Sequence, residues 1–596
     1  MAAQNAPLVG LEADLARLST ADALLCVRCA YTDPATAHEC PRAGLQACSS
    51  CRLVKYCSKE CQHKHWKLHS RDCKDPMRSE QWKPGWVEGG RTASFVGSEP
   101  RKHALSQRLQ LWGNMPAIDI LKLTPDDAKS RADISLAFIA SGDLRNAIKT
   151  VNGLPEDYAG TLTILLNDRE PYTTLRNILT LQLLAQTADK PHAADAALHL
   201  WYSAFLPQEH ADAIAALARA LAASGGIMHT QLGENASLDV DIGAAPCALA
   251  GQLFASKQYS AAAARQSLTA TRFDPARVDL RHRRWMRCTP PHRLALAQHA
   301  RTGVLLPFGA PRARFEAPNR TLFDPDGEWV QGDGADPLDV WDTEDVVATG
   351  AKHGCTREDL YGCLYFHVLA QLRAFAARLA RFRVHIVLTD ADACALAAAL
   401  WGGDLAGAGL GASVRFDRVD ASNLGDAHYL GVPRVLGAWG GFVRTGERPG
   451  VLVAHFVNWI AGAPGATFGK DDMEELFMRL AATGRVPQPD ARTRKSPAAM
   501  KAWIAGAGSL AHVYDAVHDS APAFDAFLAR VGLPGVLARV RLRRRLLHHV
   551  VPHRLCAPVH ASPNALPEFK DTESWYLQSS IGCPMWTERY IELVPV

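Results

Sequence analysis

Four pairs of soft metal ligands crowd the stretch from Cys26 to Cys73. They are Cys26 and Cys29, Cys48 and Cys51, Cys57 and Cys61, and His69 and Cys73, spaced C-x2-C, C-x2-C, C-x3-C and H-x3-C. Eight ligands in four pairs fit two tetrahedral zinc ions with four ligands each. Eight of the chain's 15 cysteines lie in this stretch, too dense a cluster for chance. With every position filled by protein, neither ion keeps a place for water, so the expected role is structural.

The C-x2-C pairs suit tight knuckles. Cys57 and Cys61, like His69 and Cys73, are four apart and can share one face of a helix. The run from Ser58 to Cys73 has no Pro or Gly to interrupt that helix. The pattern CxxC…CxxC…YCSxxCQxxHWxxHxxxC resembles a MYND-type zinc finger, through Cys57 to Cys73 almost position by position. In that family the two sites interleave. The resemblance implies one zinc on Cys26, Cys29, Cys57 and Cys61 and the other on Cys48, Cys51, His69 and Cys73. Cross-bracing of this kind lets a module too small for a core fold on its metal. Cys40 falls between the pairs and is read as a spare thiol, while His69 is preferred to His65 by the family pattern. Serine at Cys57 or Cys73 is expected to unfold residues 26–73 and leave the rest intact. MYND modules also imply docking of short proline-containing peptides, with Gln62 and Trp66 expected to line the groove.

The chain has 596 residues, enough for two to four domains. A net charge of +4 gives no field suggesting general affinity for nucleic acid. Scattered cysteines beyond the finger fit a reducing, intracellular setting, cytoplasmic or nuclear. The first 20 residues lack a basic, apolar leader, and no long apolar run suggests a membrane span.

Beyond an N-terminal segment (1–25), the finger (26–73) and a Pro- and Gly-rich linker (74–104), strand and helix alternate. ISLAFIASG (134–142), a helix over 144–154 and TLTILLND (161–168) make a βαβ unit and imply a parallel sheet. FRVHIVLTD (382–390), SVRFDRVDASN (413–423) and GVLVAHFVNW (450–459) read as three further strands. The fold class is therefore α/β: a Rossmann-like, largely parallel sheet domain over 105–469, with a long helical insertion (about 190–300), then a mainly helical region over 470–596. LWGNMPAIDI, SGDLRNAIKTV, TILLND, LHLWYSAFLP and FDRVDASNLGDAHYLGV resemble the uncharacterised domain that follows MYND fingers in fungal proteins. Through WGNMPAIDI and SGDLRN they are more distantly similar to the N-terminal half of dynein axonemal assembly factors.

An S-adenosylmethionine site on such a sheet wants a Gly-rich turn after the first strand and an acid after the second. Asp168 is placed for this, but the turn Ala140-Ser141-Gly142-Asp143 has one glycine, and Asp143 would repel an anion. Asp390, Asp392, Asp417, Asp420 and Asn423 follow strands and read as helix caps. His548 and His549, and the basic run 281–293 around Trp285, read as paired or solvated helix faces. SET-type, P-loop, G-x-S-x-G and H-E-x-x-H signatures are missing. The expected function is a scaffold that meets protein partners through its zinc finger, with no catalytic residues. A degenerate S-adenosylmethionine-dependent methyltransferase is the alternative.

Overall fold

A computed structural model describes residues 26–36, 38–95, 108–123, 133–185, 193–255, 259–467, 495–496, 515–582 and 586–596. The N-terminal segment 1–25, and most of the expected helical stretch and linker from 470 to 497, lie outside these residues. The chain forms two compact units. One comprises Met1–Asn114, Leu179–Ala220 and Gly251–Ala376; the other comprises Met115–Ile178, Leu221–Ala250 and Ala377–Val596.

The first unit carries the finger and a body of helices. The finger has a two-stranded ladder, β1 (Gln46–Ala47) with β2 (Lys55–Tyr56), followed by a helix at Lys59–Cys73. The body is held by indole and phenol contacts. Trp112 donates to Trp201 O at 2.7 Å, Trp201 stacks on Tyr202, and Trp341 donates to the Tyr202 hydroxyl at 3.1 Å. The basic run is internal to this unit. Arg284 pairs with Asp336 and Asp339, Arg281 donates to the Asp333 carbonyl, Arg293 bonds Met77 O and Ser79 O, and Trp285 is buried. These guanidiniums are committed to carboxylates and carbonyls of the same unit.

The second unit is a mixed α/β structure on a nine-stranded, mostly parallel sheet. Its strands are β3 (Ile134–Phe138), β4 (Thr161–Asn167), β6 (Ile227–Gln231), β7 (Ala236–Asp241), β9 (Arg383–Thr389), β10 (Arg418–Asp420), β11 (Val451–Phe456), β12 (Leu542–Arg545) and β13 (Arg589–Pro595). The short β5 (Phe205–Leu206) and β8 (Ala317–Pro318) pair separately in the first unit. The sheet order is β12-β13-β11-β10-β3-β4-β9-β7-β6. The five strands read from sequence are all present and parallel to their neighbours within that group. Strands β4 and β11 are nearly continuous apolar runs because helices cover both faces of a parallel sheet. Leu165, Phe416, Trp439, Phe456, Trp459 and Phe524 anchor one such layer.

Two expectations are corrected. The insertion over 190–300 is not wholly helical. β6 and β7 form an antiparallel hairpin, and β7 extends the sheet alongside β9. Alternation in ASLDVD, buried at every second residue, marks this half-buried strand. The region after 470 likewise supplies sheet: β12 and β13 add antiparallel strands beyond β11. His548 and His549 therefore do not lie on a helix face. The helix Leu533–Val540 stops at Arg541, which takes a left-handed φ of 53°, and a strand follows. His548 is buried with its ring against His553, and Glu592 accepts the backbone N–H groups of His549, Val550 and Val551. These histidines tie down the end of the sheet.

Candidate metal centres

At the second expected site the four side chains come together. Cys48, Cys51, His69 and Cys73 place their ligand atoms within 4.8 Å of one another, all four buried. Cys48 Sγ lies 4.0 Å from Cys73 Sγ, and Cys51 Sγ lies 3.4 Å from His69 Nε2. A tetrahedral zinc with its usual bond lengths spaces such ligands by roughly 3.5–3.8 Å, so the cluster fits the ion. Three local devices shape it. Arg52, at φ 60°, turns the chain so that its N–H reaches Cys48 O, forming the C-x2-C knuckle. Leu53 N–H points at Cys51 Sγ at 3.4 Å. The helix, capped by Ser58 on Cys61 N, sets His69 and Cys73 one turn apart. Burial lowers the His69 pKa to about 4, so the imidazole is neutral and available as a ligand. His65 instead meets the Tyr56 hydroxyl at 3.0 Å.

The first site differs in one ligand. The cluster is Cys29, Cys40, Cys57 and Cys61, again within 4.8 Å. Cys40 Sγ lies 3.8 Å from Cys57 Sγ, and Cys57 Sγ lies 3.5 Å from Cys61 Sγ. Cys40, read as spare, takes the place assigned to Cys26. The backbone explains the exchange. Residues 27–30 run extended: Val27 N bonds His353 O, Cys29 N bonds Arg42 O, and Ala30 N bonds Lys55 O. Cys26 lies at a bend just before this run and is not part of the cluster. A hairpin, bridged at Arg28 with Ala43 and Thr32 with Glu39, folds Cys40 back beside Cys29 instead. Burial raises the Cys29 pKa to about 12. Burial also opposes ionisation of Cys40, but the N–H and guanidinium of Arg42 outweigh it and lower that pKa. Arg42 also reaches Cys61 Sγ at 3.8 Å, placing a positive charge against the thiolates.

The finger is attached to the helical body of its own unit. Lys55 Nζ donates to Gly354 O at 2.9 Å, and Arg52 pairs with Glu358 at 2.9 Å. Val27 bonds His353, as above, and Gly309 sits so near Ala30 and Val54 that a Cβ there would meet both within 3.1 Å.

A family model described as the MYND finger matches residues 37–73, and one described as a domain of unknown function, DUF4470, matches residues 111–206. The chain combines a MYND finger with a DUF4470 domain. A MYND finger binds zinc, and the two clusters above are consistent with two structural zinc ions. The finger match includes Cys40 and begins after Cys26 and Cys29.

Among curated relatives, Protein CBFA2T2 of Xenopus laevis is 30% identical over 80 residues, which is 13% of this chain and 14% of that protein. The human Protein CBFA2T2 is 32% identical over 73 residues, 12% of each chain. A SET and MYND domain-containing protein of Dictyostelium discoideum is 57% identical over 30 residues, 5% of this chain and 6% of its own. The chain thus spans about one seventh or less of the relatives it matches. No solved structure matches.

On the sheet, Asp168 does not face outward as a ribose ligand would. Its Oδ2 accepts Gly142 N at 2.8 Å and its Oδ1 accepts Glu170 N at 3.0 Å, and burial raises its pKa. The carboxylate closes the turn that the methyltransferase reading would open to a ligand. Asp392 caps the helix Ala393–Gly402, Asp390 accepts Gly243 N, Asp417 pairs with Arg444, and Asp420 accepts Ser422 N. The Asn423 carbonyl accepts Asp426 N. Among the described residues no single helix is long and apolar enough to cross a membrane.

Proposed function

We propose that this chain is a scaffold that engages protein partners through its zinc finger, with short proline-containing segments as the docked motif. The observation that carries the reading is Trp66. Its ring edge meets zinc-cluster residue His69 at 5.9 Å, yet it stays 42% exposed, with Leu68 exposed at 47%. An exposed indole held by a metal-braced helix is a rigid apolar anchor, the kind of group that dominates binding energy. Gln62, half-buried one turn earlier, supplies an amide for a peptide backbone. The Rossmann-like sheet then serves as a carrier without chemistry of its own, in an intracellular setting.

The test is fluorescence anisotropy of labelled proline-containing peptides with the full, zinc-loaded chain and its Trp66→Ala form. Saturable binding by the parent and a loss of tenfold or more in the variant, at unchanged zinc content, is expected. Equal binding by both would remove Trp66 from the interface. The methyltransferase alternative requires saturable S-adenosylmethionine binding that Asp168→Ala abolishes, and the inward-turned Asp168 favours the scaffold.

A further inference from the structure

A cavity of about 170 Å³ lies within the first unit, where the finger meets the helical body. Lys55 contributes to its finger side, Arg314 and Phe315 to its body side, and Asp195, His199 and Tyr365 are also on its wall. Its volume matches that of cavities which admit a benzene-sized molecule.

Asp195 defines the chemistry. Its side chain is buried to 1% exposure. Tyr365 donates to its Oδ1 at 2.7 Å. His199 Nε2 stands 3.6 Å from Oδ1 and His210 Nε2 3.8 Å from Oδ2, both beyond hydrogen-bond length. Among the described residues no lysine or arginine is within ion-pair distance of it. A buried carboxylate is costly unless a cation or several donors satisfy it. Burial disfavours its charge, but His199, the Tyr365 hydroxyl, His210 and the more distant Arg314 bring its pKa below the usual carboxylate value. Burial likewise lowers the His199 pKa, to about 4, although the Asp195 carboxylate opposes that fall. The aromatic wall suits the same kind of guest, because ring faces attract cations. Lys55 is occupied with Gly354 O, and the half-exposed Arg314 is 4.0 Å from Glu209.

We propose that this cavity, with Asp195 beside Tyr365 and Phe315, binds an alkylammonium or alkylguanidinium group of side-chain size. It is a binding site and not an acyl-transfer site. Ser203 bonds His199 Nδ1 at 2.9 Å, but His199 stops 3.6 Å short of Asp195, and Ser203 is fully buried, lies off the cavity wall and accepts Leu305 N at 3.1 Å.

Calorimetry on the full, zinc-loaded chain tests this with L-arginine and L-lysine against their uncharged counterparts L-citrulline and L-norleucine. The expected result is saturable binding of at least one cation, with its neutral counterpart at least tenfold weaker. Asp195→Asn should weaken binding at least tenfold. Ala310→Phe, which fills the cavity from its wall, should do the same if the first variant folds poorly. Both should retain two zinc equivalents. A capped Gly-Arg-Gly peptide binding more tightly than free arginine would assign the guest to a partner protein's side chain, and weaker binding would assign it to a free small molecule. Absence of binding by either cation, equal binding of the neutral compounds, or parent-like binding by Ala310→Phe would overturn the proposal.

Discussion

The exchange of Cys26 for Cys40 in the first zinc site can be tested directly. Replacing Cys40 with Ser removes one of four sulfurs that lie within 4.8 Å of one another, 3.8 Å from Cys57 Sγ. Structural zinc sites are worth about 10–16 kcal/mol at neutral pH. An even share per ligand is about 3 kcal/mol, or more than a hundredfold in affinity. Cys26→Ser should cost the site almost nothing, because Cys26 stands outside the cluster of Cys29, Cys40, Cys57 and Cys61. The assay is chelator competition on the full chain under reducing conditions, with released zinc read by a chromophoric chelator. The parent and Cys26→Ser should release both equivalents over one chelator range. Cys40→Ser should lose one equivalent at concentrations more than a hundredfold lower and keep the other. If Cys26→Ser sheds zinc early while Cys40→Ser matches the parent, the hairpin argument fails and the first C-x2-C pair is the true clasp.

Other outcomes follow from neighbouring features. Cys73→Ser should lose the second zinc and also lower the thermal transition of the helical body, since the two share bonds through Lys55, Arg52 and Val27; a body transition unchanged in calorimetry would refute that coupling. His455, buried against Tyr590, has its pKa pushed down to about 3 by burial. It folds neutral, so as pH falls from about 6.5 towards 3 the unfolded chain takes up a proton that the folded chain refuses, costing about 1.4 kcal/mol per pH unit. His455→Phe should flatten that acid limb by one proton in denaturant titrations. Asp168→Ala should cost about 1–3 kcal/mol in the same titrations, by leaving Gly142 N without its partner. Gly309→Ala should increase proteolysis near the finger, because the new methyl would press on Ala30 and Val54.

What was legible in the sequence follows the range of the interactions. The finger helix, its Ser58 cap and the His69–Cys73 spacing are local and could be read directly. So could the five parallel strands, whose apolar runs need no partner to be recognised. Cys40 was missed because C-x2-C spacing suggested a knuckle, whereas a hairpin joining Arg28 to Ala43 decides which sulfurs meet. TERYIELVPV and ASLDVD carried strand signals, but β13 and β7 became sheet through pairing with β11 and β9, distant in sequence. Asp168 was placed correctly at the end of its strand; its orientation depends on the Gly142 turn 26 residues earlier, which spacing cannot reveal.

The bonds from Val27, Arg52 and Lys55 to residues 353–358 carry a practical consequence. A fragment cut just after Cys73 would keep its metals but leave an apolar and hydrogen-bonding face raw to water. It would tend to stick to whatever it met. Binding partners collected with such a fragment would report that wound as much as the surface around Trp66, and only those also captured by the whole chain would count.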